Sequence, residues 1–376
     1  MILSDLPPVG GRVLWEGDKQ EPPVFDGFDA FFVDSGTSAL ALAILVAKHN
    51  CAEVDLPEVI LPAYGCPDLV AAVRFAGCLP VLVDICSPND PSYCLETLAE
   101  AVSANTIAVV AVNFLGVRER LAAIRKLLPE RCYLIEDNAQ WYPELSQAVT
   151  LEADIAISSF GRGKPASMLG GGMLLVRKAL APIAQKLVAG LPKPTGGTKG
   201  QWLKTCVYNQ LLRPYLYIWL SRNPLLNIGA THYSALEQIS LLSDFDRSRV
   251  AASVGAYLAT PQTTQKALDA VVGASSVYSS PAMGDESRRN RLLRYPLVAA
   301  DKDTANDLYS RLHRKGLGVT KMYRQTLSSI EGVARDVKVF GGSSNAEAFA
   351  NQFLTLPVHS GVGKGHVRKM LIELRK

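Results

Sequence analysis

The sequence predicts an α/β protein: a large domain on a mainly parallel sheet, followed by a small C-terminal α+β domain. Three observations predict it. Short apolar runs alternate with helix-length segments from about residue 31, the pattern of strands buried on both faces by helices. A stretch rich in Pro and Gly at 191–200 closes that alternation, and a new strand–helix series begins near residue 287. Finally, 376 residues exceed what a single ordinary core organises.

The elements follow in order. Residues 1–30 carry several prolines and little apolar periodicity, and are expected to form an arm across the body. A helix over 38–48 opens behind Ser35-Gly36-Thr37, where Ser and Thr can cap it. Strands are expected at 59–61, 80–84, 107–113 and 133–136, with helices at 67–76, 95–103 and 118–128 between them. Strands at 154–157 and 173–176 follow, the second after the turn Gly170-Gly171-Gly172. A helical region is expected from 202 to about 270, completing a large domain over 31–270. The small domain, 271–376, reads as strand 294–298, helix 304–315 ending at Gly316, strand 353–356 and a terminal helix over 367–374.

Composition narrows the functional classes. The hydrophobic share of 48% and charged share of 20% mark a globular chain. A net charge of +4 without a long basic run speaks against a nucleic-acid surface. The seven cysteines form no C-x-x-C pair, which points to reduced thiols in a cytoplasmic protein and to no metal site. The first 30 residues contain no apolar signal-peptide core. The most apolar stretch, 211–226, is broken by Arg213, Pro214, Arg222 and Pro224. It reads as a buried interface helix sooner than as a membrane-surface one.

The chemistry concentrates in two segments. The run Cys132-Tyr133-Leu134-Ile135 ends in Glu136-Asp137-Asn138-Ala139-Gln140, and Asp154-Ile155-Ala156-Ile157 leads into Ser158-Ser159-Phe160-Gly161-Arg162-Gly163-Lys164. A carboxylate and a lysine at neighbouring strand ends are what pyridoxal 5'-phosphate (PLP) requires. The lysine supplies the covalent link, and the carboxylate keeps the pyridine nitrogen protonated. Taken alone, Lys164 is an ordinary surface charge and Asp137 an ordinary turn-capping acid; their pairing makes the case.

With Ser35-Gly36-Thr37-Ser38-Ala39-Leu40 upstream, these residues resemble the DegT/StrS group of fold-type I PLP enzymes. The resemblance continues through Val59-Ile60-Leu61-Pro62-Ala63-Tyr64 and Ala76-Gly77-Cys78-Leu79-Pro80-Val81-Leu82-Val83-Asp84, and faintly through Gly316-Leu317-Gly318-Val319 and Leu356-Pro357-Val358-His359. It implies a seven-stranded-type sheet and a homodimer with two sites at its interface. It also implies an aminotransferase acting on small molecules: an amino donor, glutamate by expectation, and a keto sugar carried on a nucleotide, in polysaccharide or related biosynthesis. Lys164 and Asp137 would be catalytic. Gly36, Thr37, Ser38 and Ser159 would hold the cofactor phosphate, as a helix N-terminus can. Gln140 would meet the cofactor's phenolic oxygen, with Tyr64 or Cys66 beside the ring. Arg162, Tyr323 and His359 would lie on the substrate side.

The chain also departs from the family pattern. Cys66 stands where many relatives place a stacking aromatic. Thr231-His232-Tyr233-Ser234 replaces an Asn-x-Arg element that reaches the partner's phosphate, so His232 or Tyr233 would take that part. Of the His-Tyr pair on the sugar side, only Tyr323 remains. Two rivals stand beside the aminotransferase: a lyase or dehydratase on the same scaffold, and a PLP-binding regulator without turnover. The dehydratases tend to carry histidine in place of the linking lysine, and Lys164 opposes that version. The stretch from 202 to 245, rich in Trp, Tyr and Leu, is expected to lie in a large dimer interface, above roughly 2,000 Å².

Overall fold

The structure, a computed structural model, describes residues 4–15, 25–143, 152–194, 198–221, 223, 231–285, 288 and 290–376. Strand β1 (Phe28–Val33) leads into helix α1 (Gly36–His49), and β2 (Glu58–Pro62), α2 (Asp68–Phe75) and β3 (Leu79–Val83) follow. A hairpin of β4 (Ile85–Ser87) and β5 (Asp90–Tyr93) precedes α3 (Leu95–Ala101), β6 (Thr106–Val112), α4 (Leu121–Leu127) and β7 (Tyr133–Asn138). Strands β8 (Ile155–Ser159) and β9 (Gly172–Arg177) complete this series.

These strands build one sheet. Seven of its strands lie in the order β1-β9-β8-β7-β6-β2-β3. The run from β8 to β3 is parallel; β9 is antiparallel to both β8 and β1. Those seven strands are the sheet that the family resemblance implies. An eighth, β12 (Lys338–Phe340), joins β3 in parallel from the far end of the chain. The sequence showed no sign of it.

Residues of β2 and β8, and all of β6 except Val112, are buried, as Val, Ile, Leu and Ala in a doubly covered sheet should be. Helix α1 buries Ser38 to Ile44, Val46 and Ala47, and packs on α2, β8 and β9. Its N-cap is Ser35, whose hydroxyl oxygen accepts from the Ser38 N–H at 3.0 Å. Parallel strands point their C-terminal ends one way, so β7 and β8 deliver Asp137 and Ser159 to one edge of the sheet, where α1 begins. In open α/β sheets that edge is where ligands bind.

The remaining helices are α5 (Ala181–Ala189), α6 (Thr198–Leu211), α7 (Pro214–Ser221), α8 (Asp244–Ser248), α9 (Val250–Leu258) and α10 (Thr263–Val272). Beyond them, β10 (Tyr278–Ser279), β11 (Arg294–Ala299) and β13 (Phe353–Pro357) form a separate antiparallel sheet, order β10-β11-β13. Helices α11 (Lys302–Arg314), α12 (Ser344–Gln352) and α13 (Lys364–Leu374) accompany it. Leu297, Leu308, Leu354 and Met370 centre the apolar cluster of this part.

Three local expectations need correction. Residues 231–243 are not helical. Their backbone runs along β1 instead, with the Asp34 N–H on the Ser240 carbonyl and the Leu242 N–H on the Phe32 carbonyl, which covers an otherwise open sheet edge. Helix α4 begins at Leu121 and not at 118, because Arg120 before it has a non-helical backbone, φ −84° and ψ 65°, while the Arg118 N–H bonds the Arg288 carbonyl and the Glu119 N–H the Asn113 side chain. Strand β1 starts at Phe28, inside the stretch expected as an arm. Of the stretch 211–226, residues 222 and 224–226 lie outside the described residues.

Candidate active site

Strands β7 and β8 are in register with Asp137 opposite Ile157 and Asn138 opposite Ser158. Ser159 therefore stands one residue beyond Asn138's partner, and the loop after it carries Lys164. The Lys164 N–H donates to the Gly161 carbonyl at 3.2 Å, a tight turn that folds the lysine back toward the strand ends. Two other side chains feel its charge. The Lys164 ammonium lowers the pKa of both Asp137 and Cys66, against burial that raises them. Carboxylate and thiol therefore both lie within electrostatic reach of the lysine.

Asp137 is 6% exposed. Burial raises its carboxyl above the ordinary value; the Ala139 N–H, donating to Oδ1 at 2.8 Å, and the Lys164 charge oppose that rise. A desolvated carboxylate of this kind gains strongly from a cationic partner. Cys66 is pushed up to about 11, chiefly by burial, so it stays a neutral thiol at physiological pH.

Gln140 is buried and held at both ends. Its Oε1 accepts from the Leu115 N–H at 3.0 Å, and its Nε2 donates to the Tyr323 hydroxyl at 3.1 Å. Tyr323 has a positive φ of 48°, a conformation few non-glycine residues adopt, and is fixed there between Gln140 and Cys66. Tyr64 is 2% exposed, donates its hydroxyl to the Met322 carbonyl, and meets Phe114, Tyr323 and Phe349 edge-on. It is therefore wedged behind the site, and of the two only Cys66 feels the Lys164 charge.

The opposite wall is the start of α1. A Cβ on Gly36 would stand 2.5 Å from Ser159 Cβ and 2.6 Å from Ser159 Oγ; one on Gly172 would stand 2.1 Å from the Ser35 carbonyl oxygen. Only hydrogens fit there, which brings the helix N-terminus against the end of β8. The first N–H groups of an α-helix have no partner within it, and Ser35 satisfies that of Ser38. Gly36, Thr37 and Ser159 are thus placed for an anion. Ser38 is fully buried, and its hydroxyl oxygen accepts from Ser35 Oγ at 2.9 Å, so its side chain serves the cap. Gly36→Ala is expected to cost roughly 1–3 kcal/mol of stability and to weaken cofactor binding about ten- to a hundredfold. Titration of the apoprotein with PLP reads this, and parental affinity in a folded variant would remove Gly36 from the cradle.

The residues assigned to the substrate side are more dispersed. Arg162 is exposed on the loop and close enough to Tyr208 of α6 for its charge to lower that phenol's pKa, against a larger rise from burial. His359 is engaged by backbone at both ring nitrogens: Nδ1 accepts from the Gly361 N–H at 3.1 Å, and Nε2 lies 2.9 Å from the Pro7 carbonyl oxygen. That pattern fixes the proton on Nε2, and burial keeps the ring's pKa low. Tyr233 lies in a network within its own chain. Its hydroxyl accepts from Arg74 at 3.1 Å, and Arg74 in turn pairs with Asp336 at 2.6 Å.

Two groups of residues escaped the sequence. Asn113 links the strand ends: its amide donates to Glu136 at 2.8 Å and to Asn138, and its oxygen accepts from the Glu119 N–H. A lone asparagine after a strand carries no signal of this. The second group is the arm. Val9, Gly10 and Arg12 line a cavity of about 230 Å³ with Lys164, Tyr257 and His359. Asp137 and Gln140 do not touch this cavity, so it is an approach to Lys164 from the arm side and not the seat of the ring.

Taken together, a buried carboxylate, a facing lysine and a helix N-terminus pressed on a serine fit PLP. No group of His, Cys, Asp and Glu suited to a metal occurs among the described residues. Comparisons with known proteins agree. No curated protein sequence matches the chain. Among solved structures, the aminotransferase TlmJ from Streptoalloteichus hindustanus superposes with a TM-score of 0.69 at 21% identity, over 92% of this chain and 84% of that one. A DegT DnrJ EryC1 StrS aminotransferase from Brucella abortus gives 0.69 at 16%, over 92% and 85%. The E. coli GDP-4-keto-6-deoxy-D-mannose-3-dehydratase with bound hydrated PLP gives 0.70 at 15%, over 92% and 87%. At such identities the likeness is one of fold, that of fold-type I PLP enzymes. Residues 29–195, which include the α1 cradle, Asp137 and Lys164, match the sequence profile of the DegT/DnrJ/EryC1/StrS aminotransferase family.

Proposed function

We propose that this aminotransferase takes an amino group from glutamate and delivers it to a keto sugar carried on a nucleotide, in the synthesis of a polysaccharide or related glycoside. The observation that carries the reading is the convergence of Lys164 on Asp137, next to the α1 cradle. Gly36, Thr37 and Ser159 would hold the cofactor phosphate, Asp137 its ring nitrogen, Gln140 its phenolic oxygen and Lys164 its aldehyde carbon. When bound, PLP supplies an electron sink for the carbon that loses its proton. The chain supplies the rest. Lys164 Nζ, as a free amine, moves the proton away from the amino-bearing carbon of the donor. Asp137 would pair as a carboxylate with the ring nitrogen, and the Gln140–Tyr323 hydrogen bond holds Gln140 in place. Arg162 and Tyr323 would meet the acceptor, and His359 would act by seating the arm.

In this reading the enzyme is a two-fold dimer, with residues near His232 and Tyr233 reaching the partner's phosphate. A dehydratase also superposes on the chain, and Lys164 separates the two readings, because the dehydratases resembling this family tend to carry histidine there. The test is spectroscopic. Purified holoenzyme should lose its visible cofactor absorption on adding glutamate and keep it with most other amino acids. A spectrum unmoved by any amino acid would overturn the aminotransferase reading; a response to a different donor would overturn only glutamate.

A further inference from the structure

We propose that the outer face of the α6–α7 hairpin docks on an anionic membrane surface. The inference stands apart from the reaction assigned above. It begins with charge: between Ile155 and Leu236 the sequence has ten lysines and arginines and no aspartate or glutamate, although the chain has 35 acidic residues elsewhere. Helices α6 and α7 lie in the middle of that stretch.

Within the single chain, one side of the hairpin is bonded to the body and the other is exposed. The inner side is tied to the body: Gln201 donates to Asp246 at 2.6 Å, Asn209 exchanges two hydrogen bonds of 2.9 Å with the Val13 backbone, and Ser221 donates to Asp5 at 2.8 Å. The acidic residues it meets, Asp5 and Asp246, are both buried and so add no negative charge outside. Outward, Trp202 is 49% exposed, Leu203 58%, Val207 48%, Tyr215 52% and Trp219 78%. At about 100° per residue, Trp202, Leu203 and Val207 share one helix face. Lys199, Lys204 and Arg213 are exposed around them.

Apolar rings rimmed by cations suit one class of partner. A second copy of this chain would set the same positive face against itself across a two-fold axis, and like charges oppose that pairing. A bilayer with anionic headgroups complements the charge. Its interfacial zone accepts tryptophan and tyrosine rings, while lysine stems reach to the phosphates. Among the described residues no helix is long and apolar enough to cross a membrane, so the contact is peripheral.

Holoenzyme is mixed with vesicles of phosphatidylcholine alone or with about a third phosphatidylglycerol, and binding is read by sedimentation and by tryptophan emission. Binding is expected on the anionic vesicles, with a blue shift, and to fall in high salt. The triple variant Lys199→Gln, Lys204→Gln, Arg213→Gln should bind them roughly a hundredfold more weakly, since each basic residue near such a surface contributes about fivefold. Trp219→Ala should weaken binding and remove part of the blue shift, and both variants should turn over like the parent. Equal binding to neutral vesicles, or none to either, overturns the proposal. So does a Trp219→Ala protein that becomes monomeric while the parent is a dimer, because the face would then be a subunit contact.

Discussion

Lys164→Ala is expected to lower turnover by roughly five orders of magnitude or more and to abolish the covalent link to the cofactor, with the fold intact. The size follows from two roles in one side chain. Lys164 stands close enough to Asp137 and Cys66 for its charge to act on both, and in the proposed reading it is both the covalent link and the base. Its loss removes both attachment and proton transfer. The cost to folding is small, because the side chain is only half-buried and its loop is held by backbone contacts such as the Met168 N–H on the Phe160 carbonyl at 2.7 Å. The checks are borohydride reduction followed by peptide mapping, single-turnover kinetics, and circular dichroism. A reducible adduct that persists in the variant would assign the link to another lysine. Added small amines should restore part of the proton transfer, since they can enter the approach cavity and act as a base there.

What the sequence made legible was local or chemically constrained. The core strands were readable because a doubly covered parallel strand is a short run of Val, Ile, Leu or Ala, as at 107–112 and 155–157. The lysine–carboxylate pair was readable because one cofactor chemistry demands it at adjacent strand ends. Long-range pairing was not readable. β12 joins β3 from some 250 residues away, and nothing in Lys-Val-Phe announces a partner. Residues 231–243 have Leu and Ile at spacings a helix could use, yet their backbone groups are claimed by the edge of β1. Tertiary demand overrode local propensity there.

The same limit applies to the arm. The family resemblance placed His359 on the substrate side; in the folded chain both its nitrogens are engaged by backbone, one by Pro7 from the other end of the chain. The arm lines the cavity beside Lys164, and only the folded chain reveals it. The substrate side was therefore the least legible part of the site. The cavity beside Lys164 is built from the arm, the 160–171 loop, α9 and the region after β13, which meet only in three dimensions.

Asp137→Asn is expected to keep the cofactor bound through Lys164 and the α1 cradle but to slow transamination about a thousandfold or more. An amide is neutral and cannot stabilise a protonated ring nitrogen, so the electron sink is weakened at the step that removes the proton. Burial makes the loss large: charge–charge attraction in this desolvated position is far stronger than in water. A pH signature accompanies it. Burial holds the free carboxyl above its ordinary value, so in the parent apoprotein affinity for PLP is full above that raised value and declines as pH falls through it. In Asp137→Asn that acid limb should disappear, because the group that titrates is gone. Asp137→Glu keeps the charge and should recover part of the rate. Near-parental turnover in Asp137→Asn, or an unchanged acid limb in its PLP titration, would remove Asp137 from the ring nitrogen and place the protonating group elsewhere.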